Sequence, residues 1–206
     1  MSHSSKHAGF TLVELMVTVS IMLIILGTLV FHQSTYSDGA ALNNLADTIG
    51  LTLRQAQIYG ISVKEFNTGS NNFSVAYGAD FDILPSAGNN AYIFFADLSP
   101  QNGIYDSGWS CPIGGTSECI TKSSITGGNT ISSLCEIPLT GPNNCSIGRI
   151  DITFLRPEIT ANMAFFDSAG NPLSLSGVKG AQIKLLSPGG STRSVTIYTT
   201  GQISVE

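Results

Sequence analysis

The sequence predicts an α+β chain, with a long N-terminal helix packed on an antiparallel β-sheet head. The helix is expected to be apolar in its first half and amphipathic in its second. Three observations carry this. Residues 10–31 form an almost unbroken apolar run. Residues 39–59 keep apolar side chains at helical spacing. From residue 61 onward the chain breaks into short β-branched and aromatic segments divided by Gly, Asn and Pro.

The apolar run, Phe10 to Phe31, is 22 residues with one charged side chain, Glu14. As a helix it spans roughly 33 Å, enough to cross the hydrocarbon core of a bilayer. It is longer than the core of a secretory signal, and no small-residue cleavage site follows it. The small residues Ala8 and Gly9 come before it. That order predicts processing on the cytoplasmic side, with the apolar helix retained. A carboxylate inside such a span costs a few kcal/mol and marks a function or a partner. Cleavage after Gly9 would give Phe10 a new amino terminus one helical turn from Glu14. Cation and anion could then neutralise each other between neighbouring subunits.

The second half continues with Leu42, Leu45, Ala46, Ile49, Leu53 and Ala56 on one face, and Arg54 and Gln57 toward the other. Tyr36-Ser37-Asp38-Gly39 is a possible kink, and Gly60 a natural stop. The expected organisation is a leader over 1–9, a membrane or filament-core helix over 10–32, an amphipathic helix over 33–60 and a β-rich head over 61–206. A cysteine-pinned insertion is expected over 107–147.

Gly9-Phe10-Thr11-Leu12-Val13-Glu14-Leu15 resembles the prepilin cleavage and methylation motif of type IV pilins and type II secretion pseudopilins. The resemblance implies that a prepilin peptidase cuts between Gly9 and Phe10 and that the Phe10 amine is N-methylated. Glu14 would then guide assembly with other pilin or pseudopilin subunits. The protein would be a single-pass inner-membrane protein with its head outside the cytoplasm, and later part of a surface or periplasmic filament. Many major pilins carry a proline in mid-helix. Here no proline occurs between Phe10 and Leu84, and Gly27 is the one helix breaker in the span.

The stretch Leu45 to Gln57, with Leu53-Arg54-Gln55-Ala56, Gly60 and a strand expected at Ile61–Phe66, resembles the H-type pseudopilins and FimT-like minor pilins. So does the end, Arg193-Ser194-Val195-Thr196-Ile197 followed by Gly201. This implies a minor structural subunit, with a major pilin and a DNA-binding pilin as alternatives. Some FimT-like pilins bind DNA through an arginine-rich motif at that point. Here Gln202-Ile203-Ser204-Val205-Glu206 follows, without arginine. The chain carries a net charge of −5, and loss of residues 1–9 would also remove Lys6. Nucleic acid is therefore not expected as a partner.

Further strands are expected at Phe73–Tyr77, Tyr92–Ala96, Arg149–Leu155, Met163–Phe166, Ala181–Leu186, Ser194–Tyr198 and Gln202–Val205, the last two as a hairpin. Ser110 to Asn144 is rich in Gly, Ser and Thr and reads as a long variable insertion pinned by the cysteines. It contains Cys111, Cys119 and Cys135, with Cys145 just beyond. Four cysteines allow three disulfide pairings. The sequential one, Cys111–Cys119 with Cys135–Cys145, is preferred because both loops are short. A four-cysteine zinc site is the alternative, but there is no C-x-x-C knuckle. Disulfides imply an oxidising compartment.

The three histidines are His3, His7 and His32, so the head has none. That excludes Ser-His and Cys-His nucleophile pairs within it. No glycine-rich phosphate loop follows a strand, and no enzyme is predicted. Asp80, Asp82, Asp97, Asp106 and Asp167 could pair in space, although solvated turn positions are expected for most. Asp97 to Asp106 loosely resembles a calcium loop. Its glycine is seventh and its twelfth residue is Gly108, where an EF-hand has glycine sixth and glutamate twelfth. An Asx-type turn is the better reading, and neither metal nor cofactor is expected.

Overall fold

The computed structural model describes residues 9–62, 74–98, 100–111 and 117–206. The backbone is helical from Leu12 to Ile61 (α1), through the expected kink at 36–39 and one residue past Gly60. The chain forms two compact units, Met1–Ser37 and Asp38–Glu206.

In the first unit, Leu12–Leu29 is long and apolar enough to cross a membrane, and none of it is buried within the chain. The hydroxyl side chains in this stretch are satisfied locally. Thr18 Oγ1 donates to the Leu15 carbonyl at 3.0 Å, Ser20 Oγ to Met16 at 2.8 Å, and Thr28 Oγ1 to Ile25 at 2.8 Å. A helix apolar all round, with its hydroxyls bonded to its own backbone, is built for lipid or for other helices.

In the second unit, Leu42, Ala46, Ile49, Leu53 and Ala56 bury one face of α1. They share a core with two antiparallel sheets. The six-stranded sheet uses β1 (Ala76–Asp82), β2 (Ala91–Asp97), β3 (Cys119–Ser124), β6 (Arg149–Phe154), β7 (Ala161–Phe166) and β8 (Pro172–Leu173), in the order β3-β2-β1-β6-β7-β8. The five-stranded sheet uses β4 (Thr130–Pro138), β5 (Asn144–Ile147), β9 (Val178–Leu186), β10 (Thr192–Tyr198) and β11 (Ile203–Val205), in the order β11-β10-β9-β4-β5. The fold class is α+β, as the sequence predicts, with two sheets in the head.

Gly60 is needed for close packing. A Cβ there would lie 2.3 Å from the Phe154 carbonyl oxygen, and the Gly60 carbonyl accepts the Arg156 amide at 3.1 Å. Glycine lets the helix end touch the β6 backbone.

Three details differ from the sequence reading. Ile61 ends the helix instead of opening a strand, and residues 63–66 of that expected strand lie outside the described residues. The strand expected at Phe73–Tyr77 begins at Ala76 and runs to Asp82. Most importantly, Ser110–Asn144, where no strand is expected, is not a loop insertion throughout. It supplies β3 and β4, and β4 lies inside the five-stranded sheet, paired with β9 and β5. Ile131 and Leu134 face the core, but register shifts between Ile131 and Ser133 break the two-residue period. That break hides the strand in the sequence.

β1 and β2 are buried along their whole length. Tyr77, Ala79 and Phe81 point into the main core, whereas Ile93 and Phe95 of β2 pack on the opposite face with Tyr105, Trp109, Cys111 and Cys119. Residues 105–111 therefore cover part of the outer face of the six-stranded sheet.

Candidate processing and assembly site, and the buried carboxylates of the head

Gly9 and Phe10 are exposed ahead of α1, with Phe10 at 80%. Thr11 starts the helix. Its hydroxyl accepts the Glu14 amide at 3.3 Å, and its carbonyl accepts the Leu15 amide at 3.2 Å. Thr11 is thus an N-cap, and Thr-Leu-Val-Glu has the residue spacing of a capping box. The sequence reading missed this role for Thr11, although the Thr-x-x-Glu signal was present. Glu14 is exposed in the first turn of the helix. A carboxylate there also meets the positive end of the helix dipole. From Leu12 to Leu29 the surrounding surface is apolar and uncovered.

The family model for the prokaryotic N-terminal methylation motif matches residues 4–30. This is the type IV pilin and pseudopilin signal, and it supports a pilin-like or pseudopilin precursor processed by prepilin peptidase and assembled with other pilin subunits. The motif and the apolar helix fit membrane anchoring before assembly. No curated protein and no solved structure matches the chain.

The cysteines form two bonds, Cys111–Cys119 and Cys135–Cys145. The first ties Cys111 to the start of β3. The second ties β4 to the edge strand β5.

The acidic residues correct one expectation. Asp80, Asp82 and Asp97 are buried, at 1%, 9% and 2% exposure, instead of solvated in turns. Asp151 and Glu118, which the sequence reading did not single out, are buried with them. Nothing in the linear pattern finds them, because only contacts between segments far apart in the sequence bring them together. Asp80 of β1 lies opposite Asp151 of β6, and Asp82 lies opposite Arg149. Arg149 Nε donates to Asp80 Oδ1 and Asp151 Oδ1, both at 3.1 Å. Its Nη2 donates to Asp151 Oδ2 at 2.6 Å and to the Tyr105 carbonyl at 2.7 Å.

The remaining carboxylates hold the loop by its backbone. Asp151 Oδ2 accepts the Tyr105 amide at 3.2 Å. Glu118 accepts the Leu98 amide at 3.0 Å and the Asp106 amide at 2.6 Å. Asp97 accepts the Asn102 and Gly103 amides at 3.2 and 2.8 Å. Asp97 is therefore the acceptor of its own turn, and Asp106 Oδ2 accepts the Asn102 side-chain amide at 2.9 Å. Among the described residues no group of three or more His, Cys, Asp or Glu is arranged to hold a metal ion.

Burial is the largest cause that raises the pKa of Asp80, Asp82, Asp97, Glu118 and Asp151. For Asp82, Asp97 and Glu118 the backbone amides they accept oppose this shift. For Asp151 the adjacent Asp80 carboxyl and the Arg149 charge do so.

Proposed function

We propose that the chain is a structural, non-enzymatic subunit of a type IV pilus or type II secretion pseudopilus, and a minor one of the H-type or FimT-like kind. The observation that carries this is Gly9-Phe10…Glu14 set directly ahead of a helix whose large side chains are uncovered all round. Such a helix suits lipid, and it suits packing among like helices.

In this reading prepilin peptidase removes residues 1–9 at the inner membrane and the Phe10 amine is methylated. The helix spans the membrane once, with the head outside the cytoplasm. On assembly the Glu14 carboxylate meets the Phe10 amine of a neighbouring subunit. Two charges that would be costly alone in lipid then neutralise, which sets the axial stagger between subunits. The helices form the filament core and the heads its surface. Two disulfides in the head suit an oxidising exterior. The minor-subunit assignment rests on the resemblance of Leu45–Gln57 and Arg193–Gly201 to the H-type and FimT-like group.

The test is the intact mass and N-terminal sequence of the protein recovered from membranes of its host. The expected chain begins at methylated Phe10. A chain beginning at Met1 or Ser2, in cells with active prepilin peptidase, would sink the filament reading. Abundance in sheared filaments then separates a scarce minor subunit from an abundant major one.

A further inference from the structure

Asp80 and Asp151 are directly opposed in the β1–β6 register, and both are almost fully buried. Directly opposed residues on one sheet face hold their Cβ atoms about 5 Å apart. Arg149 is the cation that contacts them. Its guanidinium is already committed on several sides, to Asp80, to both oxygens of Asp151 and to the Tyr105 carbonyl. Two buried carboxylates against one part-buried guanidinium leave an uncompensated negative charge. Like charges this close do not both stay ionised.

We propose that Asp80 and Asp151 share one proton at neutral pH, carried on Asp80, and that this proton keeps residues 100–111 latched to the six-stranded sheet. The Asp80 hydroxyl donates to Asp151. Asp151 keeps its charge, because Arg149 and the Tyr105 amide both favour it. Base removes the proton as water. The two carboxylates then repel across the strand pair and compete for Arg149. Asp151 accepts from the Tyr105 amide and Arg149 donates to the Tyr105 carbonyl, so the latch loosens there first.

The groups facing the pair agree on the sign. β1 adds Asp82, and the loop adds Tyr105, whose phenol lies in turn near Glu118. β2 presents Ile93 opposite Asp80, and β7 presents Ala164 opposite Asp151, neither of which titrates. Arg149 lies over the Phe166 ring at 4.8 Å. Lys122 is engaged elsewhere, with the Trp109 carbonyl at 2.8 Å. Burial first, and the Asp151 charge second, raise the Asp80 pKa well above the ordinary carboxylate range. A group whose folded pKa is raised lends stability that is lost as pH rises through that value.

The experiment uses the full chain in detergent micelles, in buffers from about pH 5 to about pH 9. Two readouts are followed: the infrared carbonyl band of a protonated carboxyl, and amide-exchange protection at Gly103, Tyr105 and Asp106, corrected for intrinsic exchange. In the wild type the band is present at neutral pH and fades on the alkaline side. Protection at Tyr105 falls about tenfold or more over the same range, as one pKa unit of differential binding requires. Asp80→Asn keeps a donor that cannot titrate, so it removes the band and holds protection level. The Tyr105 phenol, pushed up to about 12, does not titrate in this range. A wild type with no protonated carboxyl at neutral pH, or with constant protection, overturns the proposal. So does an Asp80→Asn chain with an unchanged fall. If that variant does not fold, the two wild-type series decide alone.

Discussion

Residues 12–29 and 38–61 belong to one continuous helix, yet they wear opposite surfaces. In the first stretch large apolar side chains stand uncovered and the hydroxyls turn inward to their own carbonyls. In the second, Leu42, Ile49 and Leu53 are fully buried, and the exposed side carries Asn44, Asp47, Arg54 and Gln55. The same backbone geometry thus serves two solvents. Helix propensity does not separate the two halves. The placement of polar residues does, being almost absent in one half and confined to one side in the other.

The largest expected effect falls on the second half. Leu53→Ala should destabilise the head by about 2–5 kcal/mol, because Leu53 is wholly buried in a shared core. Leu23→Ala, at a position 65% exposed, should leave head unfolding unchanged. Denaturant unfolding of the full chain in micelles, read by head tyrosine and tryptophan fluorescence, compares the two. Equal losses would erase the contrast between the halves.

Removing the bond from β4 to the sheet edge should come next. Replacing Cys135 and Cys145 together by Ala should cost about 2–4 kcal/mol in the same assay. The pair anchors a strand inside the five-stranded sheet, so the loss should be cooperative and visible in the global transition. An effect confined to local exchange in β5 would mean that the bond merely trims an edge.

Gly60→Ala should cost about 1–3 kcal/mol, since its new Cβ would meet the Phe154 carbonyl and the neighbouring backbone must shift. The test is the unfolding midpoint together with amide exchange at Arg156, which donates to Gly60. Gly27→Ala is the matched control. Nothing lies within 4 Å of a Cβ at Gly27, so alanine there should leave head stability unchanged.

Legibility followed the range of each interaction. The apolar span, the amphipathic face and the hairpin β10–β11 all show in the sequence because they depend on neighbours a few residues away. Glu14 stands out because it is the one charge in a long apolar run. The strand β4 was hidden by its bulges, which disrupt the alternation that identifies a strand. Asp80, Asp151 and Arg149 were hidden for another reason. Asp80 and Asp151 lie 71 positions apart in the numbering, and only the β1–β6 register pairs them. Sequence reading ranked the aspartates by local turn context, and that context carries no information about a partner strand.

The smallest effect sits where the two halves of the comparison began, at the helix start. Thr11 caps α1 by accepting the Glu14 amide. Thr11→Ala should loosen the first turn by about 1 kcal/mol, while Thr11→Ser should retain the cap. Head stability should not respond, because the lost bond is local to the first turn. Amide exchange at Glu14 in micelles should quicken several-fold in the alanine variant and stay near wild type in the serine variant. If Ala and Ser behave alike, the hydroxyl does not order the turn. The placement of the Glu14 carboxylate would then depend on its neighbours in the assembly alone.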